Sequence, residues 1–276
     1  IDPSEVAASR FDMVVVDHAI SANRRFVREF SRDEIARMRT RPDGSRRIVL
    51  SYLSIGEAER YRFYWRPEWY EPGRAPSWLA TANERWDGNW RARFWDPGWR
   101  EVIFAGDDTY LARIKAQGFD GIYLDRADVY QELEQERPTA RADMLRFIGD
   151  LAAAARRDDP GFLVVLQNAE ELIADRALRI MLDGLAKEDL LYGVEHDARP
   201  NPTAMVRDVL ANLRRAKTAG LPVFLVEYLE NPSQAAKAAS SARREGFVFL
   251  NAERSLGTLH VPLHAPSGID TSPKPK

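Results

Sequence analysis

The chain has 276 residues and a formal net charge of −2, with 45% hydrophobic and 30% charged residues. That balance supplies a sizeable core and gives no reason to expect attraction to nucleic acid or to anionic lipid. No run approaches the roughly 18 apolar residues of a membrane span, and the absence of cysteine removes disulfides, thiol catalysis and thiolate metal sites together.

The chain opens at Ile1 rather than methionine, as expected where an upstream segment has been removed, whether by cleavage of a secretion signal or by trimming of the chain. The first strand is predicted at Met13–Asp17. Ser31 and Glu34 then form a capping box that opens a helix over Ser31–Thr40. The second strand is predicted at Arg47–Ser54, where Ile48, Val49 and Leu50 make the continuous apolar run of a parallel strand covered on both faces. About forty residues separate it from a third strand at Ala92–Asp96, far beyond ordinary βα spacing. All seven tryptophans lie between Trp65 and Trp99, accompanied by Tyr61, Phe63, Tyr64, Tyr70 and Phe94. Such a loop packs on its own aromatics or on a ligand, and indole faces suit the flat C–H faces of sugars. Most of these rings are expected to anchor the loop, with one or two lining a carbohydrate groove.

Gly118 breaks a helical pattern before the fourth strand, Gly121–Asp125, which carries an aspartate at its carboxyl end. Met144, Phe147, Ile148 and Leu151 recur at helical spacing. Further strands are predicted at Phe162–Asn168, Gly184–Glu188, Pro222–Tyr228 and Phe247–Asn251. Helices follow from Pro202 to near Gly220, and from Pro232 to Glu245 with Gly246 as the stop. Eight βα units in about 260 residues fit a single (β/α)8 TIM barrel over residues 1–262, with a long Trp-rich loop between strands 2 and 3. Residues 263–276 read as a flexible tail. The alternative, a doubly wound open sheet, lacks a G-x-G-x-x-G after the first strand.

The predicted strands deliver Asp17, Ser54, Asp96, Asp125, Asn168, Glu188, Glu227 with Tyr228, and Asn251 at their carboxyl ends, where a barrel keeps its chemistry. Glu57 and Glu59 follow the second strand. One acid alone reads as a helix cap or a salt-bridge partner of Arg60, Arg62 or Arg126. A ring of them would raise one another's pKa values and attract cations. Two carboxylates flanking a sugar linkage are what glycoside hydrolysis needs, and Asp125 with Glu188 is the preferred pair.

Other chemistries fit less well. The four histidines, His18, His196, His260 and His264, have no zinc-binding spacing. His18 is expected to be structural. There is no G-x-S-x-G elbow and no phosphate-cradling loop. Lys187 alternates away from the site, against a Schiff-base role.

The ordered motifs Leu50–Glu59 with Tyr61–Trp65, Phe94–Trp99, and Gly118–Asp125 continuing to Asp128 and Tyr130 resemble glycoside hydrolase family 114. This group is described as endo-α-1,4-polygalactosaminidases or glycosidases of related type. The resemblance spans about residues 10 to 255. It implies a secreted barrel, extracellular or periplasmic with a cytoplasmic setting left open, that cleaves α-1,4-linked galactosamine polymers. It also implies Asp125 as nucleophile and Glu188 as proton donor, with Asp189 or Glu195 as fallbacks because Lys187 and Asp189 make the approach to Glu188 less apolar. Asp17, Glu57, Glu59, Tyr64, Trp95, Asp96, Asp128, Asn168, Tyr192, Glu227, Tyr228 and Asn251 are expected to line the substrate. No cofactor or metal is expected, and the chain is expected to be a monomer. A non-catalytic carbohydrate-binding barrel is the alternative function. A hydrolase holding a metal among Asp17, Glu57, Asp125 and Glu188 is a third.

Overall fold

The structure is a computed structural model that describes residues 2–22, 25–257 and 259. The expected tail, His260 and His264 lie outside the described residues. The centre is a curled, all-parallel sheet of seven strands: β1 (Met13–Val16), β2 (Ile48–Ser54), β3 (Gly121–Asp125), β4 (Leu163–Gln167), β5 (Gly184–Glu188), β6 (Val223–Glu227) and β7 (Val248–Asn251). Their order in space is their order in the chain. Simple sequential βα connections give that arrangement.

Alternation assigns each strand residue to one of two faces. Val49, Ile122, Leu124, Val164, Leu166, Leu185, Val223 and Leu225 are buried with Met144, Phe147, Ile148 and Leu151, which come from the helix Ala140–Arg156. The opposite, concave face carries a second, smaller cluster of Leu50, Val165 and Ala186. Met13, Tyr123, Leu163 and Phe224 pack against it. Both faces are covered, so the strands read as unbroken apolar runs. The helix Arg32–Met38 has the expected capping box: Glu34 N–H donates to Ser31 Oγ at 3.2 Å, and Ser31 N–H to the Glu34 carboxylate at 2.7 Å. Before β3, Gly118 ends the helix Tyr110–Gln117 in a left-handed conformation (φ 87°) that costs a glycine little.

The expected third strand, Ala92–Asp96, is not in the sheet, and β2 pairs directly with β3. Ala92 ends a short strand, Asn89–Ala92, that pairs antiparallel with Glu57–Glu59 and Leu79–Ala82. Asp96 instead starts a helix, accepting the Gly98 N–H at 2.8 Å with Pro97 in the first turn. The apolar signal was real but was not that of a strand: Phe94 and Trp99 are fully buried, and Trp99 Nε1 donates to the Ile55 carbonyl at 2.8 Å. The closed eight-stranded barrel is therefore corrected to a seven-stranded sheet, whose edge strands β1 and β7 do not pair among the described residues. The tryptophan-rich segment is built around a small antiparallel sheet rather than as a loop. Its indoles pack on one another, Trp65 on Trp90 at 4.5 Å, Trp69 on Trp78 at 5.1 Å and Trp78 on Trp99 at 4.8 Å between centroids.

Candidate active site

Asp125 ends β3 and Glu188 ends β5, with β4 between them. Two inter-strand steps put their backbones on the order of 10 Å apart. Register puts both on the concave face: Ser54 pairs with Asp125, Gln167 with Ala186, and Glu188 lies two residues beyond Ala186. Asp125 is half-buried. Its Oδ2 accepts from the Tyr52 hydroxyl at 2.7 Å and its Oδ1 from the Arg126 N–H at 2.7 Å. Burial raises its carboxyl to about 7, with Glu188 and Asp128 pushing the same way and the Tyr52 hydrogen bond opposing. Glu188 Oε2 accepts from the Tyr228 hydroxyl at 2.6 Å, and its Oε1 from the Asn168 amide at 3.2 Å. The charge of Glu188 thus reaches Asp125, and a tyrosine hydroxyl holds each acid.

The backbone at this rim is unusual. Directly after β3, β4 and β5, three non-glycine residues turn through the left-handed region: Arg126 (φ 60°), Asn168 (φ 54°) and Asp189 (φ 53°). Such residues cost on the order of 1 kcal/mol or more each and persist where surrounding contacts fix them. Here they end three adjacent strands, Arg126 and Asn168 level in register and Asp189 two residues further along.

Several expected substrate ligands have other work. Asp17 sits on Arg62 Nη1, which is 2.7 Å from both of its oxygens. Burial pushes its carboxyl up, but Arg62 and His18 more than offset this and hold it well below the ordinary range. Glu59 takes the other side of Arg62 at 2.6 Å and the Tyr61 hydroxyl at 2.6 Å. Glu57 is buried, bonded to Asn83 and Asn89 and paired with Arg126 at 2.9 Å. Tyr64 accepts from the Glu59 N–H and packs on Trp99. Trp95 stacks under Arg137 at 5.3 Å, and Asp96 is the helix cap already described. Glu227 points to the outer face, fully buried, and accepts the Leu191 N–H at 2.8 Å; burial raises its carboxyl to about 7. Asn251 bridges the Leu229 backbone. Tyr192 forms a bridge with Pro200 in the same rim segment.

That leaves Asp125, Glu188, Asn168 and Tyr228 together, with Asp128 beside Arg126 at 3.1 Å. Burial raises the Asp128 carboxyl, with Arg126 opposing. The fallback acids are occupied elsewhere, Asp189 by Arg254 at 2.9 Å and Glu195 near Arg199 at 3.8 Å. Lys187 pairs with Glu170 at 3.4 Å, away from the concave face as alternation requires. His18 is fully buried against Asp17 and Tyr110. Among the described residues, no three acids or histidines gather as a metal-binding set. Tyr52 and Tyr123 were not foreseen as site residues. Both could have been found by counting back two residues from Ser54 and Asp125, because side chains two apart share a face.

A curled parallel sheet with paired carboxylates at its carboxyl rim is an arrangement that glycoside hydrolases use. The chain belongs to glycoside hydrolase family GH114, whose model matches residues 4–265. A protein of Deinococcus radiodurans, described as uncharacterized, is 37% identical over 92% of this chain and 77% of its own length. One of Thermotoga maritima, described likewise, is 32% identical over 84% of this chain and 69% of its own. The glycoside hydrolase domain of PelA from Pseudomonas aeruginosa has a similar fold, with a TM-score of 0.70 at 21% identity, covering 94% of this chain and 93% of that one. No helix among the described residues is long and apolar enough to cross a membrane.

Proposed function

We propose that the protein hydrolyses α-1,4-linked galactosamine in a cationic amino-sugar polysaccharide by a retaining mechanism. Asp125 attacks the anomeric carbon, and Glu188 gives its proton to the leaving oxygen. In the second half, Glu188 takes a proton from water, which displaces Asp125. The observation that carries this reading is the pair itself: two acids on one concave face, one held by Tyr52 of the adjacent β2 and the other by Tyr228 just past the adjacent β6. A polymer bearing ammonium groups suits a rim where Asp125, Asp128 and Glu188 cluster, since opposite charge raises its local concentration. Such a polymer is met outside the cytoplasm, which favours an extracellular or periplasmic setting.

The test is the release of reducing ends from de-N-acetylated polygalactosamine, with Asp125→Asn as control. No release above that control defeats the reading and leaves the carbohydrate-binding barrel. The role split is tested on leaving groups. Glu188→Gln should lose far more rate on poor leaving groups than on activated aryl glycosides. The raised carboxyl of Asp125 favours one second reading, in which the roles are exchanged. There the leaving-group sensitivity appears in Asp125→Asn instead.

A further inference from the structure

A third inward-facing side chain, Tyr123, stands on β3 two residues before Asp125. It pairs in register with Tyr52 of β2 on one side and Val165 of β4 on the other. Its ring packs on the inner cluster of Leu50, Val165 and Ala186, which fixes it on the concave face that also carries Asp125 and Glu188. Tyr52 and Tyr228 have their hydroxyls committed to Asp125 and Glu188. Among the described residues no hydrogen bond involves the Tyr123 hydroxyl. Burial raises this phenol well above its ordinary range, and Glu188 and Asp125 both add to the effect. It therefore stays protonated while lying within the field of both acids.

Resting on the glycosidase reading above, we propose that Tyr123 is a catalytic residue whose hydroxyl oxygen faces the reacting sugar between Asp125 and Glu188. The charges that act on this hydroxyl are those of the two carboxylates. Donating its hydrogen to either turns its lone pairs toward the ring. As the bond from the anomeric carbon to the leaving oxygen breaks, positive charge grows on that carbon and the ring oxygen. A fixed dipole with its negative end toward them stabilises this state more than the ground state. The Tyr123 proton is neither lost nor gained: Asp125 supplies the new bond to carbon, and Glu188 supplies the proton to the leaving group. That the hydroxyl is unengaged in the empty site agrees with contacts that tighten only when substrate arrives.

The experiment compares wild type, Tyr123→Phe and Asp125→Asn on de-N-acetylated galactosamine oligomers, measuring kcat, KM and the thermal midpoint. Phenylalanine keeps the ring and its packing, so the midpoint should stay within about 2 °C. With the oxygen gone, kcat should fall about tenfold while KM stays within about twofold. A 3-fluorotyrosine at this position, whose hydroxyl oxygen is less basic, should fall between the two and guards against a folding defect in the phenylalanine variant. Unchanged kcat in Tyr123→Phe, or a loss carried by KM alone, overturns the role while leaving the glycosidase standing. A wild type no faster than Asp125→Asn overturns the glycosidase itself and this role with it.

Discussion

The Tyr52 hydroxyl donates to Asp125 Oδ2 at 2.7 Å across the boundary between β2 and β3. This hydrogen bond favours the ionised carboxylate and opposes the burial that raises it to about 7. Removing it in Tyr52→Phe should push the Asp125 pKa up further. With Asp125 as nucleophile, the acid limb of the kcat/KM profile should move to higher pH, by about one unit. A profile that does not move would separate Tyr52 from the titration of Asp125.

Asp125 also links stability to pH. Its carboxyl titrates at about 7 in the folded chain against an ordinary value of 3.8, so the folded state holds the proton more tightly. The stability this contributes is full below about pH 4 and is lost as pH rises through about 7. Asp125→Asn, which cannot ionise, should match wild type near pH 4. At pH 8 it should exceed wild type by on the order of a few kcal/mol. Thermal midpoints across that range give the comparison, and a stabilised but inactive variant is the expected result.

Asn168 serves Glu188 in two ways, through its amide at 3.2 Å and through a left-handed backbone (φ 54°). Asn168→Gly keeps the backbone but loses the amide, whereas Asn168→Ala loses both. Both variants should lower kcat about tenfold. Asn168→Ala should be further destabilised by about 1 kcal/mol. Denaturant midpoints read beside kcat separate the two effects. Equal kcat in wild type and both variants would remove Asn168 from the site.

Gly56 lies beneath the carboxyl end of β3. A Cβ there would collide with the Arg126 carbonyl oxygen and come within 2.5 Å of a Val129 methyl. Neither can move without shifting the turn that carries Asp125. Gly56→Ala should therefore cost about 3 kcal/mol, read as a drop in denaturant midpoint. The variant that does fold should lose activity with no change in the chemistry of any side chain.

The sequence by itself determined the pieces that local physics controls. The runs at Ile48–Ser54, Gly121–Asp125 and Leu163–Gln167 are strands because apolar residues on both faces leave little choice, and Ser31 with Glu34 caps its helix as written. It also brought Asp125 and Glu188 to strand ends, since glycine breaks and chain order suffice for that. Tertiary structure alone decided what each acid does there. Asp17 and Glu57 look like Asp125 in the sequence, but Arg62 and Arg126 arrive from other segments to neutralise them. Residues 92–96 carry a strand-like apolar signal, yet burying Phe94 and Trp99 and capping with Asp96 takes them out of the sheet. A carboxylate's charge and an apolar run's position both depend on partners distant in the chain, and no local pattern encodes which partner will come.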